Sequence, residues 1–124
     1  MSCKLDKMFQ KRLSFIRMMQ EMQPGSYPSF PLDMSKKESQ QVCRDLALRG
    51  VEEMFEALGH LKNWKSHRSS EEKDIDREEF LEEIIDSFNY FFSLLILMNV
   101  DESEFINAFN AKDEIIRERI RNGY

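Results

Sequence analysis

At three places where a helix-period run of apolar residues follows, a residue able to cap a helix stands three positions before a glutamate: Ser35 before Glu38, Asp76 before Glu79 and Asp101 before Glu104. At that spacing the first side chain accepts a hydrogen bond from an amide that the opening helical turn leaves free, and the glutamate reaches back to the amide of the capping residue. Apolar residues then recur every three or four positions, the period of a helix face. Helix starts at these places are thus imposed locally, before any long-range contact forms. A further helix precedes them, since Leu5, Met8, Phe9, Leu13, Ile16 and Met19 repeat at the same spacing until Pro24-Gly25 stops it after about Met22. No stretch alternates with a period of two, Val is scarce and Thr is absent, which argues against a sheet. The expected fold is all-α, a helical bundle of about four main helices.

The second helix carries Val42, Leu46, Val51, Met54, Phe55, Leu58 and Leu61 to about Trp64, across Gly50 and Gly59, each of which costs about 1 kcal/mol of helix propensity. The third is expected to run to about Asn99, a residue that tolerates the left-handed conformation at a helix end. The fourth is expected to continue to about Arg121, before Gly123. Between the first two helices, Pro24, Pro28 and Pro31 stand with Tyr27 and Phe30, the composition of an ordered loop packed by its aromatics. The polar stretch 66–74 has no periodicity and is expected to be an exposed connection.

A chain of 124 residues suits a single domain, 1–124. Its formal charge of -5 argues against a general nucleic-acid binder, which needs a basic patch to displace counterions from phosphate. Cys3 and Cys43 fit no disulfide framework or metal-ligand spacing, and a reducing cytoplasm is the simpler setting. The opening residues contain no apolar signal core, and the longest apolar stretch, Phe88 to Met98, is interrupted by Asn89 and Ser93. It falls short of the ~20 residues needed to cross a bilayer. The expectation is a soluble cytoplasmic protein with no membrane partner.

The chemistry is concentrated in carboxylates. Glu53 and Glu56 stand three apart on the second helix, and Glu83 and Asp86 three apart on the third, so each pair projects from one side of its helix. Facing each other, the pairs would make a four-carboxylate cage for hard divalent ions such as Mg²⁺, or Mn²⁺, which take oxygen ligands and bridge phosphates. The plain alternative is a solvated acidic face. Against it stands the third helix, where Leu81, Ile84, Ile85, Phe88, Phe92 and Leu95 form one apolar stripe, while Glu83 and Asp86 share the far side with Tyr90, Leu94 and Leu97. A helix apolar on both sides is buried, and carboxylates there need compensating charge. The same helix predicts a homodimer or higher homo-oligomer, because Phe91, Phe92, Leu94, Leu95 and Leu97 offer more apolar surface than the other helices are expected to cover.

The motif Glu53-x-x-Glu56 followed by Glu83-x-x-Asp86 resembles that of the all-α NTP pyrophosphatases, which include MazG-like enzymes and dimeric dUTPases. Leu61-Lys62-Asn63-Trp64-Lys65 and Leu81 to Phe91 are similar to the dUTPase and phage dCTPase-dUTPase branch, in which His or Asn often stands at the position of Asn89. Lys112 to Tyr124 resembles its closing segment. That segment typically reads Lys-Asn-x-x-Asn-x-x-Arg-Gln; here Lys112 and Arg119 agree, and Asp113, Ile116 and Ile120 replace the two Asn and the Gln.

The resemblance covers nearly the whole chain. It implies metal-dependent hydrolysis of a pyrimidine deoxynucleoside triphosphate, dUTP or dCTP, to the monophosphate and pyrophosphate. Glu53, Glu56, Glu83 and Asp86 would be the metal ligands, and Glu53 or Glu56 would accept the proton of the attacking water. Lys112 and Arg119, two turns apart, would grip phosphate oxygens; the plainer role of such cations is to complement the dipole of the last helix. Trp64 would stack on the base, and Gln10 and Asn89 would offer amide edges to it. His60 and His67 have no spacing for zinc or a triad and receive no role. A phage-encoded enzyme would act in the host cytoplasm. Two other readings stay open: a MazG-like enzyme for purine or modified nucleotides, and a non-catalytic helical interaction protein.

Overall fold

The computed structural model describes residues 3–62, 64–65 and 74–123. Among them every regular element is helical: α1 (Lys4–Met22), α2 (Lys37–Leu58), α3 (Arg77–Leu97) and α4 (Glu102–Arg121). The all-α class and the four helices agree with the sequence. None of the helices is long and apolar enough to cross a membrane. Asn63, His67, Tyr124 and most of the expected connection after Lys65 lie outside the described residues.

The chain forms two compact units, residues 1–32 with 95–124, and residues 33–94. In the first, α1 begins at Cys3, whose sulfur accepts from the amide of Asp6 at 3.4 Å. It ends as the Gln23 amide donates to the Met19 carbonyl, and Gly25 then takes a left-handed φ of 91°. The proline loop is tied back by Gln20 to the Pro28 carbonyl at 2.9 Å and by Arg12 to the Tyr27 hydroxyl at 3.2 Å. Tyr27 and Phe30 are half-buried, as expected for a loop packed by its aromatics. Phe9 of α1 meets Phe105 of α4 with ring centres 6.0 Å apart, and Phe9, Ile16, Ile96 and Leu97 are this unit's buried apolar residues.

The end of α3 is a complete left-handed stop. Asn99 has φ 63°, its amide donates to the Ile96 carbonyl, and the Val100 amide donates to Leu95. These two bonds satisfy carbonyls that the last turn leaves free, and Asn is the residue after Gly that best tolerates the conformation. Asp101 immediately caps α4, accepting from the Glu104 amide at 2.9 Å. Asp76 caps α3 in the same way through Glu79, at 3.1 Å.

The second unit corrects three expectations. Ser35 does not cap α2: its hydroxyl and amide both donate to the Asp33 carboxylate, at 2.7 and 3.1 Å, and the helix starts at Lys37 behind an N-cap, Lys36, that makes no side-chain bond. The Asp33 carboxylate closes a local turn over Ser35, which holds the serine ahead of the helix and away from the capping position. Nor does α2 reach Trp64. It stops at Leu58, with the Gly59, His60 and Leu61 amides folded back onto Phe55 to Leu58 in tighter turns. The third correction concerns α3: Ser87 is buried and Glu83, Tyr90, Phe91 and Leu94 are half-buried, while of the expected core stripe Phe92 is buried and Ile84 half-buried but Leu81, Ile85 and Phe88 are exposed. The inward side of α3 in this unit is the one that carries Glu83.

Gly50 explains the choice. The buried Ser87 hydroxyl donates to its carbonyl at 2.7 Å, and a Cβ on Gly50 would lie 2.9 Å from the Phe91 ring. The missing side chain lets α3 press Ser87 and Phe91 directly onto the α2 backbone. Phe91 and Leu94, named above as surplus apolar surface, are thereby half-buried within the chain, and Phe92 and Leu97 are buried. Gly50→Val would push the ring away; it is expected to destabilise by about 2–3 kcal/mol through overpacking, read as a lower urea midpoint. An unchanged midpoint would mean that Phe91 moves aside freely.

Candidate metal centre

The contact that fixes α2 against α3 also places the carboxylates. Glu53 follows Gly50 by three residues and Glu83 precedes Ser87 by four, each about one turn away on nearly the same face. The Gly50–Ser87 bond thus brings Glu53 and Glu83 together, and Glu56 stands one turn further along α2. One carboxylate oxygen from each of Glu53, Glu56 and Glu83 lies within 4.8 Å of the others. Glu53 and Glu83 are half-buried and Glu56 is exposed, so the cluster opens to solvent on one side.

Its electrostatics are those of crowded anions. Glu53 holds its proton above the ordinary glutamate range, first because burial disfavours the charged form, then through the charge of Glu56, a hydrogen bond with it, and the charges of Asp86 and Glu83. Glu83 is raised by burial, by the charge and hydrogen bond of Glu56, and by Asp86, with His60 acting in the opposite direction. Where crowded carboxylates retain protons, a divalent cation can replace them.

The four residues expected as ligands are brought together as three plus one. Asp86 falls outside the group of three, on the exposed side of α3, yet its charge reaches both Glu53 and Glu83. His60 is the residue that sequence reasoning missed. The turn after α2 holds its ring edge-on to Phe80, with centres 6.4 Å apart, and near enough to Glu83 to favour that carboxylate's charged form. No spacing rule relates His60 to Glu83; only the α2 to α3 packing does.

The expected nucleotide-contacting residues are placed as follows. In the carboxylate unit, Trp64 is 72% exposed with the Lys65 ammonium over its ring at 5.1 Å. Asn89 is half-buried, and its backbone carbonyl accepts from Ser93. Gln10, Lys112 and Arg119 belong to the first unit. Gln10 donates to Asp6 at 3.0 Å beside a cavity of about 270 Å³ walled by Phe9, Leu13, Phe30, Ile96 and Val100. Lys112 and Arg119 are exposed along α4, and Asp113 is engaged by Arg117 at 2.7 Å. Ile116 and Ile120 are exposed.

The donor set tests what ion would fit. Three carboxylates, with a fourth nearby, offer only oxygen, which suits Mg²⁺ or Mn²⁺ and gives zinc neither the thiolate nor the imidazole ligands that dominate its sites. No known protein family, curated protein or solved structure matches the chain.

Proposed function

We propose that this chain is a Mg²⁺-dependent nucleoside triphosphate pyrophosphatase of the all-α kind, acting on a pyrimidine deoxynucleotide, dUTP ahead of dCTP. The observation that carries the reading is the convergence of Glu53, Glu56 and Glu83 within 4.8 Å on two packed helices. A triphosphate brings several negative charges to an acidic protein, and bound divalent ions reconcile the two by neutralising phosphate charge and lowering the pKa of water. Glu53, Glu56 and Glu83 would hold the metal directly, with Asp86 beside them. Glu53 or Glu56 would take the proton of the attacking water, and burial together with the neighbouring carboxylates already raises the proton affinity of Glu53. Trp64 and Asn89, which belong to the same unit as the carboxylates, would meet the base. Pyrophosphate release from a panel of dNTPs and NTPs, with Mg²⁺ and with chelator, tests the reading; absence of metal-dependent release from every nucleotide would reject it.

By the resemblance, selectivity would be set by residues of α4. A site that hydrogen-bonds its substrate discriminates strongly, because a wrong substrate leaves buried polar groups unpaired. Ile116, standing where the resembling branch has an amide, offers no such bond. Discrimination among bases is therefore expected to be loose, and Ile116→Asn to raise the kcat/KM ratio of dUTP over the other dNTPs by about 10-fold, the worth of one modest hydrogen bond. A clear purine preference in the unaltered protein would overturn the substrate assignment and leave the metal chemistry standing.

A further inference from the structure

The chain keeps its helical curvature for a short way past α2. Gly59 takes φ -61° and ψ -20°, and the His60 and Leu61 amides donate to the Ala57 and Leu58 carbonyls at 3.1 and 3.0 Å, the tighter three-residue bonds of a last turn. His60 therefore extends the line begun by Glu53 and Glu56, at spacings of three and then four residues. On α3 the facing line is Phe80, Glu83 and Ser87, at the same spacings. The two lines meet level by level: Gly50 against Ser87, Glu53 and Glu56 against Glu83, and His60 against Phe80, whose ring centre lies 6.4 Å away at an interplanar angle of 84°. This register holds the half-buried imidazole about one turn, ~5 Å along the axis, beyond the level where Glu56 meets Glu83.

His60 stands outside the three carboxylates whose oxygens lie within 4.8 Å of one another, so it is not placed to ligate a cation in their midst. It does act on Glu83, with the sign opposite to that of Glu56 and Asp86. A donor one turn from a cation is where the far side of a phosphate falls. The phosphate has one oxygen ~2 Å from the cation, and another can accept a hydrogen bond of ~2.9 Å. An imidazole carries an N–H in its neutral form as well as in its charged form, so the donor is present in either state. We propose that His60 is a substrate-binding residue, donating a ring N–H to a phosphate oxygen of a triphosphate whose cation is held by Glu53, Glu56 and Glu83, with Phe80 packing the ring in place for that bond. The assignment rests on the nucleotide reading and adds to it a phosphate donor in the same unit as the carboxylates, whereas Lys112 and Arg119 belong to the other unit.

Titration calorimetry with Mn²⁺ alone, and then with pyrophosphate added to the Mn²⁺-saturated protein, tests the assignment without requiring turnover. Two variants separate the donor from the packing: His60→Phe keeps a ring against Phe80 and removes the N–H, while His60→Gln loses the ring and keeps an N–H at similar reach. His60→Phe is expected to bind Mn²⁺ as the unaltered chain does and pyrophosphate about 10-fold or more weakly, the worth of one hydrogen bond to a charged group. His60→Gln is expected to bind both within about 3-fold of the unaltered chain. Unchanged pyrophosphate affinity in His60→Phe, or an equal or greater loss in His60→Gln, would overturn the proposal and leave the metal site standing. A loss of Mn²⁺ affinity in both variants would assign His60 to Glu83 and overturn it as well, as would an unaltered chain that takes up Mn²⁺ and no pyrophosphate. An unaltered chain that binds no Mn²⁺ would overturn both the proposal and the nucleotide reading beneath it.

Discussion

Glu53→Gln is expected to remove at least about 100-fold of metal-dependent pyrophosphate release, since even the residues that merely orient metal ligands contribute 10–100-fold. Glu83→Gln should do the same. Both side chains supply an oxygen to the group of three, and an amide keeps the shape while losing the charge that holds a cation. The helices are expected to survive, because Gln and Glu have nearly equal helix propensity and the substitution relieves repulsion among carboxylates. Asp86→Asn is expected to lose activity less steeply, since Asp86 acts on the cluster from outside the three. Steady-state assays on the three variants, with circular dichroism for the fold, provide the comparison. Full activity in Glu53→Gln or Glu83→Gln would remove the carboxylates from the mechanism.

The second large effect is on stability, where pH and metal act on the same groups. Glu53 and Glu83 hold protons more tightly when folded than at the ordinary glutamate value of 4.5. Their contribution to stability is therefore full below that value and is lost as the pH rises through their raised folded values. Without metal, these two groups make the protein less stable at pH 7.5 than just above pH 4.5. Asp33, held low by its hydrogen bonds from Ser35, works in the opposite direction, so the informative comparison is with the double variant Glu53→Gln, Glu83→Gln, which should lack the decline. Mg²⁺ at about 100 times its dissociation constant should add about 2.7 kcal/mol at neutral pH by mass action and nothing to the double variant. Thermal unfolding of both proteins at both pH values, with Mg²⁺ and with chelator, measures the pH decline and the Mg²⁺ increment in each. Equal Mg²⁺ stabilisation of the unaltered chain and the double variant would place the cation elsewhere.

Local signals in the sequence determined the helices. Asp76 and Asp101 cap because their carboxylates lie within reach of amides two or three residues on, and Asn99 ends α3 because it accepts a positive φ, so no distant partner is needed. The paired spacing of Glu53 with Glu56 and Glu83 with Asp86 is likewise fixed by helical geometry. Local turns were harder to read: Ser35 and Glu38 look like a capping box, but Asp33 holds the serine in a turn, and α2 ends at Leu58, short of Trp64.

Tertiary structure alone decided which side of α3 faces inward. The helix is apolar on two sides, and hydrophobicity ranks them without saying which one finds a partner; burial is a property of two surfaces. The bare backbone at Gly50 accepts Ser87 and Phe91 at close range, which turns Glu83 inward beside Glu53 and leaves Leu81, Ile85 and Phe88 outside. That rotation brings three carboxylates within 4.8 Å, leaves Asp86 at their edge and sets His60 near Glu83. Spacing along one helix cannot encode these relations, because they depend on the register between two.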